Sequence, residues 1–116
     1  MADTTRYARP LGGAATVTLT AADAAQTITV TNDLTMVDGV TNPISVNVTL
    51  TADIPAGLQV GAMMFMQATS VGAQTLTFGD GFSPRTVTGV AGKTINGTLI
   101  YNGSVFTPLA ARVQID

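Results

Sequence analysis

The sequence predicts an all-β protein, an antiparallel β-sandwich or jelly roll of about eight strands with an extended N-terminal arm. Three observations predict it. Apolar and polar residues alternate in short runs, as in Thr16-Val17-Thr18-Leu19-Thr20 and Gln26-Thr27-Ile28-Thr29-Val30-Thr31. Threonine recurs in Thr-x-Thr steps, and β-branched side chains suit a pleated, half-buried sheet better than a helix. Turn residues punctuate the chain at regular short intervals, and no stretch carries a convincing helical period.

Residues 1–13 read as the arm, polar and ending on Gly12-Gly13, and residues 14–116 as the β domain. Arg6, Tyr7, Arg9, Pro10 and Leu11 are the arm's candidate interface residues, because ordering an arm costs backbone entropy that contacts must offset. The first two strands follow from Ala15 to Thr31, because successive side chains of a strand point to opposite faces. Asn32-Asp33, Asp38-Gly39 and Asn42-Pro43 mark turns. Ile44-Ser45-Val46-Asn47-Val48-Thr49-Leu50 alternates again, and Asp53-Ile54-Pro55-Ala56-Gly57 reads as a loop crossing between sheets.

Residues 59–68 break the alternation, since Met63, Met64, Phe65 and Met66 are all apolar. A strand apolar on both faces is covered on both sides. Either it is a central strand under a loop, or its outer face meets another subunit, which makes Met63, Met64 and Met66 further interface candidates. Gln74-Thr75-Leu76-Thr77-Phe78 is the next strand, and Arg85-Thr86-Val87-Thr88 reads as a short edge strand. Thr98-Leu99-Ile100-Tyr101 and Ser104-Val105-Phe106-Thr107 flank Asn102-Gly103, a preferred pair for a type I′ hairpin turn. Arg112-Val113-Gln114-Ile115 supplies a last strand. A faint echo links Val17-Thr18-Leu19-Thr20-Ala21 to Val48-Thr49-Leu50-Thr51-Ala52, and Ala25-Gln26-Thr27-Ile28-Thr29 to Ala73-Gln74-Thr75-Leu76-Thr77. The two offsets differ, so no solenoid period is read from it. Two related Greek-key halves would produce such an echo, and so would coincidence among threonine-rich strands.

Composition narrows the function. The chain has 116 residues, 46% hydrophobic and 10% charged, with formal net charge −2. Mean hydropathy is +0.37 and the pI is about 4.6. So few charged side chains leave an isolated molecule short of ionic cover, so part of the surface is expected to be buried against other subunits. Five basic residues form no stripe that would neutralise phosphates, so nucleic acid is not an expected partner. No apolar run is long enough to cross a bilayer, and the polar N-terminus lacks a signal-peptide pattern; the expectation is synthesis in a cytoplasm and no membrane partner. Without a secretory signal, the Asn47, Asn96 and Asn102 glycosylation-like triplets are discounted.

The chain contains no His, Cys, Trp or Glu. Ser-His-Asp and Cys-His nucleophile systems are therefore excluded, as are thiolate and imidazole metal sites. A shared-proton Asp pair is chemically allowed, but no Asp-Thr-Gly turn presents one. Asp33, Asp38 and Asp80 sit in turn-like segments without calcium-loop spacing, so turn chemistry accounts for them. Lys93 and Asn96 invite comparison with Lys–Asn crosslinks, but no carboxylate is placed beside them. Tyr7, Tyr101 and Phe106 could stack on a sugar, although scattered strand aromatics usually belong to the core. No catalytic residue, no cofactor and no metal is expected.

The stretch Ala91-Gly92-Lys93-Thr94 through Leu99-Ile100-Tyr101-Asn102-Gly103-Ser104-Val105-Phe106 resembles a pattern in tailed-phage virion surface proteins. Capsid decoration and head-fibre domains carry a similar Ala-Gly-Lys segment, a strand ending in Tyr-Asn/Asp-Gly-Ser/Thr, and then an aromatic. Gln74-Thr75-Leu76-Thr77-Phe78-Gly79-Asp80-Gly81 is similar to such modules too. A Trp is common where Phe106 stands. The resemblance covers roughly the last third of the chain. It implies a non-catalytic β-sandwich or jelly-roll subunit, usually trimeric, bound to a capsid or fibre. The expected function is thus a virion structural protein made in a bacterial cytoplasm. It is read as a capsid decoration (cement) protein acting as a homotrimer, with the major capsid protein as partner and the arm as clamp. The alternative is a receptor- or glycan-binding module of a tail fibre or spike, whose mark would be an exposed groove combining Tyr or Phe with convergent Asp and Asn.

Overall fold

The protein was analysed as a computed structural model, which describes residues 13–109 and the backbone of residues 113–115. The arm candidates Arg6, Tyr7, Arg9, Pro10 and Leu11 lie outside the described residues. Among the described residues there are ten strands and no helix: β1 (Ala14–Thr18), β2 (Ala25–Thr29), β3 (Leu34–Ile44), β4 (Val48–Asp53), β5 (Met63–Ser70), β6 (Thr75–Phe78), β7 (Arg85–Thr88), β8 (Thr94–Tyr101), β9 (Phe106–Pro108) and β10 (Val113–Ile115).

The all-β expectation holds, but the strand directions correct the expectation that the sheets are antiparallel. The sheets are mixed. One runs β1-β3-β5-β8, with β9 and β10 sharing the far edge of β8; the other runs β2-β4-β6-β7. The first six strands alternate between the sheets, and same-sheet neighbours among them pair in parallel. The chain therefore winds in coils, with Ala14, Leu34 and Met63 stacked in register. The physical reason lies in the connections. A hairpin returns the chain beside itself, whereas residues 19–24, 45–47 and 54–62 hand it to the opposite sheet, and it re-enters in its original direction. Pairing becomes antiparallel only at β6–β7, β5–β8, β8–β9 and β8–β10.

Side chains hold the corners. Gln26 accepts from Thr20 N at 2.9 Å and donates to the carbonyls of Thr20 and Asp23 at 2.8 and 2.9 Å. The next coil is tied on where Ser45 N and Oγ both donate to the Ala21 carbonyl. The sequence echo is not a structural repeat. Residues 17–21 and 48–52 fall on opposite sheets, and Ile28 stacks on Ala52, not along the line leading to Leu76.

Both sheets feed one core. Val37, Met64, Met66 and Leu99 come from the first, and Ile28, Leu50, Leu76 and Phe78 from the second. Fully burying each such side chain is worth roughly 1.5–3 kcal/mol. At one end Phe82 meets Phe78 edge-on at 5.1 Å, and Phe106 packs between Phe82 and Tyr101. Gly81, at φ +83, closes this end: its carbonyl accepts from Phe106 N at 2.9 Å. Thr35 is a polar intruder in the core, 1% exposed, with a hydroxyl that has no hydrogen-bond partner among the described residues. Thr35→Val keeps the shape and removes that desolvated hydroxyl, so it is expected to stabilise by about 1 kcal/mol. A higher urea midpoint at unchanged slope is the readout.

Candidate interaction surface

The outward faces of the two sheets differ in kind. On the four-stranded sheet, alternation places Thr27 and Thr29 of β2, Thr49 and Thr51 of β4, Thr75 and Thr77 of β6, and Thr86 and Thr88 of β7 on the outer side. Thr27 stacks on Thr51, Thr49 on Thr77, and Thr77 faces Thr86 with hydroxyls 3.2 Å apart. Hydroxyls wet most of this face, beside the exposed Asp53 paired with Thr29, a cover that the charge count alone did not foresee.

The six-stranded sheet presents the opposite character. Its outer face carries a row of Leu34, Met63 and Ile100, and beside it a row of Thr16, Met36, Phe65 and Thr98. Met36 is 42% exposed, while Leu34, Met63, Phe65 and Ile100 are half-buried. At the rim stand Val60, 72% exposed, and Leu109, 54% exposed. β5 runs through the middle, with its side chains divided between core and outer face. Met64 and Met66 point inward and are buried, so their place is the core and not this surface. Met63 does lie on the outer face, and Phe65, absent from the interface candidates, stands beside it. The unbroken apolar run at residues 63–66 was the signal. A central strand under core on one side and an apolar surface on the other has no polar phase left.

The outer face is troughed. An open groove of about 600 Å³ runs past Gly13, Leu34, Val60 and Met63 to Phe65. A second, of about 480 Å³, continues from Phe65 between Thr16, Asp38, Gln67, Asn96 and Thr98. In this lower half the polar groups are largely committed to one another. Gln67 Nε2 donates to Asn96 Oδ1 at 2.9 Å. Asp38 Oδ1 accepts from Val40 N and Thr41 N at 2.8 and 3.0 Å, and Oδ2 accepts from Thr41 Oγ1. These bonds hold a bulge in β3, where residues 40–43 loop outward between the pairs Gly39–Ala68 and Ile44–Ser70.

The Thr41 hydroxyl, followed by the Thr41 and Val40 amides, holds the Asp38 carboxyl below its usual pKa. A depressed folded-state value contributes stability above the unfolded-state pKa and loses it as pH falls through the folded value. Thr41→Val is expected to move the Asp38 titration upward and narrow that acid window. Carboxyl NMR titration reads it directly; an unmoved Asp38 would show that the hydroxyl contributes nothing.

The other candidates disperse. Phe106 is buried and Tyr101 half-buried against it, so these aromatics form core and not a stacking platform. Asp33 is buried, and Asp80 accepts from Ala52 N through its carbonyl. No group of three metal-binding side chains gathers among the described residues. No helix there is long and apolar enough to cross a membrane. Compared with known proteins, the chain matches no family model, no curated protein and no solved structure.

Proposed function

We propose that this chain is a non-catalytic structural protein of a phage virion, a capsid decoration protein that joins two further copies of itself through the outer face of the six-stranded sheet. The observation that carries this reading is the contrast between the two outer faces. One is covered by threonine, and the other exposes Met36, Val60 and Leu109 around Leu34, Met63, Phe65 and Ile100. Contiguous exposed apolar surface of that kind marks an interaction site. The phage assignment rests on the C-terminal sequence resemblance, as do the homotrimer and the major capsid protein as partner, whereas the clamping role of residues 1–13 and production in a bacterial cytoplasm rest on the composition of the N-terminal sequence. Mass by light scattering is the test. A trimer supports the assembly reading, whereas a monomer at high concentration refutes it.

A second reading has its own observation. The lower groove combines Phe65 with Asp38, Asn96 and Gln67 on one exposed face, the combination expected of a glycan-binding module. A soluble monomer that binds a defined sugar on a glycan array, and loses it in Asn96→Ala, would replace the first reading with this one.

A further inference from the structure

Two Asn-Gly steps lie close together, Asn96-Gly97 within β8 and Asn102-Gly103 in the turn that follows it. We propose that Asn102 is a self-modification site that converts through a cyclic imide to aspartate and isoaspartate, and that the fold shields Asn96 from the same reaction. The inference stands apart from the assembly reading, because it needs only water and the turn.

The reaction begins when hydroxide removes the Gly103 amide proton and the nitrogen attacks Cγ of Asn102. A C–N bond forms, and the carbonyl π pair moves onto Oδ1. Collapse of that intermediate expels the side-chain nitrogen, which leaves as ammonia after taking a proton from water. Water then opens the imide at either carbonyl, giving aspartate or isoaspartate. One water is consumed and one ammonia released, with no change of oxidation state.

The turn is built to favour the first step. Asn102 Oδ1 accepts from Ser104 N at 2.9 Å and Val105 N at 3.0 Å, so two amide donors stand where negative charge develops. Gly103 has no side chain to obstruct its nitrogen and sits at φ +100. Residues 102–104 are exposed, which admits hydroxide and water. Asn96 lacks this freedom, although Gln67 donates to its Oδ1 as well: Gly97 is fixed in register with Met66 of β5, so ring closure there would break the ladder.

The product matters to the surface. A Cβ on Gly103 would lie 3.4 Å from Val60, so the new carboxylate arises beside the rim of the apolar groove.

Full-length protein incubated in mildly alkaline buffer, with and without urea, tests this by peptide mass mapping. In urea the two steps are equivalent and should react at similar rates. In the folded protein Asn102 should react at least about tenfold faster than Asn96, a difference of about 1.4 kcal/mol in barrier. If folding slows Asn102 as much as Asn96, the proposal is overturned.

Discussion

Phe65→Glu is expected to turn the proposed homo-oligomer into a monomer while leaving the subunit folded. Phe65 stands on the outer side of β5, in register with Met36 on one neighbour and Thr98 on the other. In the isolated subunit a glutamate there stays hydrated, and the cost is confined to strand propensity and local packing, about 1 kcal/mol. Between two copies the same carboxylate would be buried without a cation, since neither Met36, Met63, Leu34 nor Ile100 offers one. Burying an uncompensated charge costs roughly 3–5 kcal/mol, enough to weaken association a hundredfold or more. Thr77→Glu, on the threonine-lined face, is the matched control and should leave the mass unchanged. Light scattering on both variants, with circular dichroism to show retained strands, decides the matter. An oligomer that survives Phe65→Glu would place the contact elsewhere.

Gly81→Ala is expected to be among the most destabilising single substitutions in the chain. At φ +83 any side chain costs about 1–2 kcal/mol. The new Cβ would also lie 2.4 Å from the Ala52 carbonyl oxygen, a backbone atom inside β4. That backbone cannot retreat cheaply, because Ala52 N donates to the Asp80 carbonyl at 2.8 Å and the Gly81 carbonyl holds Phe106 N. Relieving the overlap loosens the seam that brings Phe106 into the core, so the total should exceed about 3 kcal/mol. Gly92→Ala is the informative comparison. Gly92 also has positive φ, at 74°, but nothing lies within 4 Å of its Cβ position, so only the conformational penalty applies. Urea denaturation of the two variants should therefore separate them by about 2 kcal/mol.

Much of the strand content was legible in the sequence. Period-two alternation located β2 and β6, and the edge reading of β7 holds. The alternating run at residues 44–50, read as one strand, is instead cut at residues 45–47, with Ile44 ending β3 in one sheet and Val48 opening β4 in the other. The loop that crosses between sheets begins only after Asp53. Direction was not legible. Alternation reports which residues face the core, and it is the same for a strand paired in parallel or antiparallel. β3 was missed because Asp38-Gly39 and Asn42-Pro43 look like turns. They lie within one long irregular strand, where the Asp38 side chain satisfies the amides the bulge releases. The hairpin at Asn102-Gly103 is where the sequence puts it, but no non-glycine residue has positive φ among the described residues, so it is not a type I′ turn. The loop takes in Ser104 and Val105, and Asn102 N donates to the Val105 carbonyl. The apolar surface was half legible. The run at residues 63–66 announced it, but only the pleat assigns Met63 and Phe65 outward and Met64 and Met66 inward.

The interleaved strand order also sets a schedule. Leu34, Met63 and Ile100 come from three strands far apart along the chain, and β8 joins β5 only after every earlier coil has been laid down. On the proposed assembly, a nascent subunit would therefore lack Ile100 and Thr98 on its contact face until β8 has been made, and pairing between half-made copies would be disfavoured by the winding itself.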